Sequence, residues 1–247
     1  MATLRAAAVI VAAGRGERFG APAKCLASLD GRPVLAYSLD AVEQADSVDS
    51  VVVVAGQQTE AAIRDLIAAG PWRKPVQVVR GGAARQESVA LGVRAIRDDC
   101  DVVVVHDAAR PLVEAAVFDR CVLAAHEAGA AILAAPVVDT IKRVRSGLVV
   151  ATVPREELWS AQTPQAFRWE ALLSALGSDV ARKQAFTDEA GLFETLGLPV
   201  AIVPNEQPNL KITRPGDLAL AEALLSIRAR EAESRADSHD DIVVLPV

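Results

Sequence analysis

Charge and backbone room meet early in the chain, where Ala12-Ala13-Gly14-Arg15-Gly16-Glu17-Arg18-Phe19-Gly20 is followed closely by Lys24. Glycines at such a place permit positive φ and let backbone N–H groups approach phosphate oxygens, while Arg15, Arg18 and Lys24 add positive charge beside them. The chemistry to expect is a phosphate cradle. A plain tight turn with solvated basic side chains would use some of the same residues. The spacing Gly14-x-Gly16-x-x-x-Gly20 is not the dinucleotide pattern G-x-G-x-x-G, and no acidic residue for a ribose hydroxyl follows Val54-Ala55-Gly56. No Gly-Lys-Ser/Thr stands at the distance a P-loop requires. A second centre is His106-Asp107-Ala108-Ala109-Arg110-Pro111, directly after the apolar run 102–105. Asp107 there suits Mg²⁺, a hard cation that takes one or two carboxylates and completes its sphere with phosphate oxygens and water. Asp107 capping the next helix or pairing with Arg110 is the plainer reading, and His106 at a strand end reads as a hydrogen-bonded core residue in a supporting role.

These groups need a scaffold that gathers loops at one edge. Short Val-rich apolar runs at residues 6–12, 51–55, 76–79, 102–105, 130–138 and 199–203 alternate with helical stretches such as 59–69 and 114–128, with Gly70 and Gly129 just past their ends. Continuous apolar strands are buried on both faces, so the pattern predicts an α/β fold: a Rossmann-like, mostly parallel sheet flanked by helices, with ligands at the loops after the strand ends. Residues 140–145 and 148–153 flank Ser146-Gly147 as a hairpin, which departs from the alternation. A lone hairpin is marginal in water, so it packs on a second subunit or folds back on its own domain. The organisation expected is one nucleotidyltransferase-type domain over residues 1–230, with a protruding β-hairpin arm at 137–160, and a flexible or loosely docked tail at 231–247.

With 247 residues, about half of them apolar, the chain can bury a substantial core. A formal net charge of −6 argues against a general nucleic-acid binder, so any anion site must be local. The first apolar run is too short to span a bilayer and lacks a basic leader, and a cytoplasmic location without membrane attachment is expected. The three cysteines, Cys25, Cys100 and Cys121, lack metal-type spacing and read as reduced packing residues.

The glycine loop with Lys24, the block Gly81-Gly82-Ala83-Ala84-Arg85-Gln86-Glu87-Ser88-Val89, and His106–Pro111 together resemble the 2-C-methyl-D-erythritol 4-phosphate cytidylyltransferase family. Asp139-Thr140-Ile141-Lys142, Thr152-Val153-Pro154-Arg155, Gln162-Thr163-Pro164-Gln165, Thr187-Asp188-Glu189 and Leu210-Lys211-Ile212-Thr213-Arg214-Pro215 continue the resemblance in order, over roughly residues 6–225. The resemblance implies cytidylyl transfer from CTP to a small polyol phosphate with release of pyrophosphate, in non-mevalonate isoprenoid precursor synthesis. It implies catalytic roles for Arg18 and Lys24 at the attacked phosphate, and for Arg155 and Lys211 in positioning the acceptor. It assigns nucleotide binding to Ala12, Ala13, Gly14, Arg15, Gly16, Gly81, Gly82, Ala83, Ser88 and Asp107, largely through backbone groups. The substrate side falls to Asp107, Arg110, Thr140, Arg155, Thr163, Thr187 and Lys211. Mg²⁺ or another divalent cation would sit at Asp107, and a homodimer would form through the arm, with Thr140 and Arg155 serving the neighbouring subunit. The rivals are the same scaffold acting on another polyol phosphate such as ribitol 5-phosphate, and a non-catalytic nucleotide-binding regulator. No general base is required, because a phosphate monoester with a second pKa near ~6 is already mostly dianionic at neutral pH.

Overall fold

The computed structural model describes residues 4–14, 16, 19–20, 24–96 and 100–240, with side chains omitted at 232–233 and 235–240. Its elements in chain order are β1 (Ala6–Ala12), a short 3-10 turn (Lys24–Leu26), β2 (Ser28–Leu29), β3 (Arg32–Pro33), α1 (Val34–Gln44), β4 (Val48–Ala55), α2 (Glu60–Ala69) and β5 (Val76–Arg80). They continue with α3 (Arg85–Arg94), β6 (Val102–Asp107), α4 (Ala115–Ala128), β7 (Ala130–Pro136), β8 (Ile141–Arg145), β9 (Leu148–Val153) and β10 (Trp159–Arg168). The last are α5 (Trp169–Gly177), α6 (Asp179–Lys183), α7 (Glu189–Thr195), β11 (Ala201–Pro204) and α8 (Gly216–Asp240).

Seven strands form one sheet in the order β11-β7-β10-β6-β1-β4-β5. β1 runs parallel to β4 and β6, and successive side chains divide between two cores as a pleated strand requires. Ala8 and Ile10 pack with Leu35, Leu39, Ile63 and Phe118 on the face of α1, α2 and α4. Ala7 and Val9 pack with Val89, Val93, Leu172 and Phe193 on the face of α3, α5 and α7. Burial on both faces is why β1, β4 and β6 read as unbroken apolar runs. Gly92 lets α3 lie close: a Cβ there would meet Val9 Cγ1 at 2.6 Å and Val54 Cγ2 at 2.7 Å.

Three features depart from the sequence reading. β10 lies between β7 and β6, antiparallel to both. Its Gln, Thr, Pro and Arg residues conceal it in a search for apolar runs, yet Ala166 and Phe167 are fully buried. The segment 231–247, read as a flexible or loosely docked tail, is helix as far as Asp240, because residues 216–240 are rich in Ala, Leu, Glu and Arg and hold no proline after Pro215. Residues 241–247 lie outside the described residues. The arm is shorter at its base than expected, since Trp159 and Ser160 already pair with β7.

β6 and β7, both antiparallel to β10, are parallel to each other, so β7 ends at the same edge of the sheet as β6. The β8–β9 ribbon therefore leaves the body at the edge where Asp107 lies. Val144, Leu148, Val149 and Val150 on this ribbon are exposed. Among the described residues no helix is long and apolar enough to cross a membrane.

Candidate active site

β1 and β6 are neighbours, and Val11 pairs with Asp107 across them, so the glycine loop and the aspartate open onto one cavity of about 570 Å³. Its walls include Ala12, Ala13, Gly14 and Gly16 from the loop, Lys24, Gly82, Ala83, Ala84, Arg85 and Ser88 from the start of α3, then Asp107, Lys211 and Thr213. A larger cavity of about 890 Å³ lies at the opposite end of the sheet, lined by Arg5, Asp49, Arg64 and Gln77 among others. Ligands of open parallel sheets bind outside the carboxyl ends of the strands, which favours the smaller cavity.

Each cation is placed by the packing of its neighbours. Lys24 opens the 3-10 turn whose next residue, Cys25, is buried with its thiol 3.7 Å from the Ala12 carbonyl. That puts the Lys24 ammonium 3.4 Å from the Ile212 carbonyl at the cavity wall. Lys211 is flanked by anchors: Asn209 donates to Gln162 Oε1 and the Thr163 carbonyl at 3.0 Å each, and the Ile212 N–H donates to the Ala109 carbonyl at 2.8 Å. The Lys211 ammonium then reaches Asp107 Oδ2 at 2.5 Å. On the other side, Arg85 Nε and Nη2 each stand 3.4 Å from Asp107 Oδ1, while its Nη1 donates to both oxygens of Glu189 at 2.8 and 3.0 Å.

The Asp107 backbone N–H donates to Thr163 Oγ1 at 3.0 Å, where the β6–β10 ladder has ended at Val105 and Gln165. Burial works to raise the Asp107 pKa, but the Arg85 guanidinium and Lys211 ammonium override it and hold the carboxyl well below the usual range. Asp107 is therefore a charged, doubly paired aspartate. The His106 imidazole, fully buried, lies 3.1 Å from the Thr163 hydroxyl, and burial lowers its pKa to about 4. It is a neutral core group, as the sequence reading has it. Burial likewise pushes the thiols of Cys25 and Cys100 up to about 11 and that of Cys121 up to about 12, which leaves them un-ionised.

The remaining expected site residues divide. Ser88 and Gly82 line the cavity, but the Gly82 N–H donates to Ser88 Oγ at 3.1 Å and the Ala83 N–H to Glu87 Oε2 at 2.8 Å. Those two amides are satisfied within the loop, so a base meeting this wall would find carbonyls rather than these donors. Gly81 does not line the cavity. A Cβ on it would meet the Ala13 methyl carbon at 2.5 Å and Ser88 Oγ at 2.8 Å, so its smallness brings the two loops together. Arg110 is turned away, with Nη1 donating to the Asn209 carbonyl at 2.7 Å. Thr163 is buried behind Asp107 as its backbone partner. Thr187 is exposed outside the cavity lining, and Thr140 and Arg155 are exposed at the base of the arm, where Arg155 donates to the Val138 carbonyl. Arg15 and Arg18 lie outside the described residues.

Sequence reasoning passed over Arg85 and Glu189, although both stood in motif blocks already noted. The usable signal was physical: Arg85 is the first residue of α3, the positive end of a helix dipole, where a cation needs another partner. Among the described residues no group of three or more His, Cys, Asp or Glu side chains could hold a metal. A single carboxylate suits Mg²⁺ brought in on a nucleotide triphosphate, which supplies most of the oxygens itself.

Residues 6–227 match the family model described as 2-C-methyl-D-erythritol 4-phosphate cytidylyltransferase. The chain is 45% identical over 223 residues to the protein of that name from Prochlorococcus marinus, covering 90% of this chain and 98% of the relative. It is 44% identical over 227 residues to the one from Pelotomaculum thermopropionicum, covering 91% and 95%. Among solved structures it resembles the 4-diphosphocytidyl-2C-methyl-D-erythritol synthase of Anaerococcus prevotii, with TM-score 0.80, 28% identity and coverage of 91% and 99%. It also resembles the cytidylyltransferase of Thermus thermophilus, with TM-score 0.72, 33% identity and coverage of 88% and 98%.

Proposed function

This chain belongs to the 2-C-methyl-D-erythritol 4-phosphate cytidylyltransferase family, and we propose that the cavity at the carboxyl ends of β1 and β6 is where its reaction takes place. The enzyme transfers the cytidylyl group of CTP to 2-C-methyl-D-erythritol 4-phosphate, giving 4-diphosphocytidyl-2-C-methyl-D-erythritol and pyrophosphate in the non-mevalonate pathway. The observation that carries the placement is that Lys24, Arg85 and Lys211 line the same cavity as Asp107, with Arg85 and Lys211 paired to it from two sides.

The obstacle to the reaction is that two anions must meet. At an effective dielectric of ~20 and a separation of ~4 Å, each pair of unit charges repels by about 4 kcal/mol. Lys24, with Arg18, offsets charge on the α-phosphate of CTP, and Lys211 receives the acceptor phosphate as its ammonium exchanges Asp107 for the incoming oxygens. Asp107, relieved of that partner, would be the carboxylate that holds Mg²⁺ or another divalent cation. When bound, such a cation would supply charge neutralisation and alignment for the leaving pyrophosphate. The acceptor phosphate is already a dianion, which agrees with a site whose nearest histidine is neutral and buried.

Thr140 and Arg155 complete the site of a second copy. The arm leaves from the site edge, and its exposed Val144, Leu148, Val149 and Val150 need cover, which a homodimer provides. The setting is the cytoplasm. The test is pyrophosphate release from CTP and 2-C-methyl-D-erythritol 4-phosphate by Lys24→Ala. A loss of about 10²–10³-fold with an unchanged circular dichroism spectrum is expected, and turnover near that of the unsubstituted enzyme would remove Lys24 from the site.

A further inference from the structure

Glu189 is a carboxylate that the reaction as described does not use, yet its side chain is only 2% exposed. Burial of an ionised carboxylate is costly unless it is paired, and Arg85 is the partner. The pair is unequal on its two sides. Arg85 Nη1 donates to both Glu189 oxygens at 2.8 and 3.0 Å, within the usual N–H···O range, whereas the two contacts to Asp107 are 3.4 Å. The guanidinium is thus held more tightly by Glu189 than by Asp107.

Glu189 is itself rigidly mounted. It opens α7, whose N-cap Asp188 accepts from the Gly191 N–H at 3.0 Å and from Gln165 Nε2 of β10 at 2.9 Å, and whose Leu192 and Phe193 are core residues. Arg85 in turn begins α3 immediately after Gly82, Ala83 and Ala84, so its position is shared with the loop that lines the cavity.

We propose that Glu189 is a positioning residue of the transfer site: its carboxylate fixes the Arg85 guanidinium on the cavity wall and stops it from closing on Asp107. This rests on the placement of the reaction in that cavity. Without the carboxylate, Arg85 would collapse onto Asp107, and the cavity would lose a cation for phosphate.

The experiment is a double-mutant cycle on the full chain with Glu189→Gln, Arg85→Gln and the pair, each first shown to melt cooperatively. Glu189→Gln is expected to lower kcat/KM for pyrophosphate release by about 10²-fold, with KM rising for CTP more than for the polyol phosphate. The double variant should be no more than about threefold below the worse single variant, because both changes remove one interaction. Losses that multiply in the double variant, or normal turnover in folded Glu189→Gln beside a damaged Arg85→Gln, would overturn the positioning role and spare the site. Normal turnover in Arg85→Gln would overturn the positioning role, while normal turnover in Lys24→Ala would overturn the site itself. If Glu189→Gln does not melt cooperatively, Arg85→Met/Glu189→Leu replaces the buried pair by apolar groups of similar size. That variant should fold and still lose about 10²-fold, and near-normal turnover in it would refute the proposal.

Discussion

At the scale of single residues, two groups two hydrogen bonds apart behave oppositely on titration. Asp107 keeps its charge because two cations face it; His106, with Phe118 5.2 Å from its ring, loses its charge because burial outweighs the pull of Asp107. The Thr163 hydroxyl accepts the Asp107 N–H and stands 3.1 Å from His106 Nδ1, so it links the two neighbours. His106 has a folded pKa of about 4 against ~6.5 unfolded, so between these values the unfolded chain binds more protons and stability rises with pH. Acidification from pH ~7 to ~5 should remove roughly 2 kcal/mol through this residue. Glu189, whose pKa burial raises against the pull of Arg85, acts in the opposite sense above its unfolded value. Comparison with a variant therefore isolates the histidine: urea midpoints of His106→Gln should fall less on acidification than those of the parent. Equal slopes would contradict the assignment.

At the scale of elements, the site depends on how closely two loops approach, and that depends on α3 lying tight on β1 and β4. Gly92 sets the distance. Gly92→Ala adds a methyl against the side chains of Val9 and Val54, an overpacking that costs about 1–3 kcal/mol, partly offset by about 1 kcal/mol of helix propensity. A net loss of up to about 2 kcal/mol in urea unfolding is expected, with CTP binding weakened as α3 carries Arg85 and Ser88 outward. An unchanged midpoint would mean that the helix shifts freely. Among the elements that the pattern reading did not name, two were hidden for different reasons. β10 is too polar in its first half to read as a strand. α3 opens with the polar residues Arg85, Gln86, Glu87 and Ser88, and its apolar stretch 89–93 is too short to show a helical period.

At the scale of the whole molecule, the proposed homodimer would place Thr140 and Arg155 of one copy in the site of the other. A heterodimer of Lys24→Ala and Arg155→Ala subunits would hold one site with both changes and one with neither. Mixing the two inactive proteins under exchange conditions should therefore restore up to about half of the parental activity per mixed dimer. Failure to complement, with dimers present by sedimentation, would remove Arg155 from the neighbour's site.

Residue order alone determined the α/β class, the central apolar strands, the hairpin and the two loops that meet, because strand burial and turn chemistry are local and leave a period or a glycine behind. It also singled out Asp107, directly after an apolar run, and Lys24, just past the glycine loop, whereas Lys211 came from the family resemblance alone. What only the tertiary structure decided was pairing across long separations: Lys211 with Asp107, Arg85 with Glu189, Thr163 with the Asp107 amide, and Arg110 turned to Asn209. Partners of that kind are chosen by which side chains share a low-dielectric wall once the sheet is assembled, and a buried charge settles on whichever opposite charge the packing delivers.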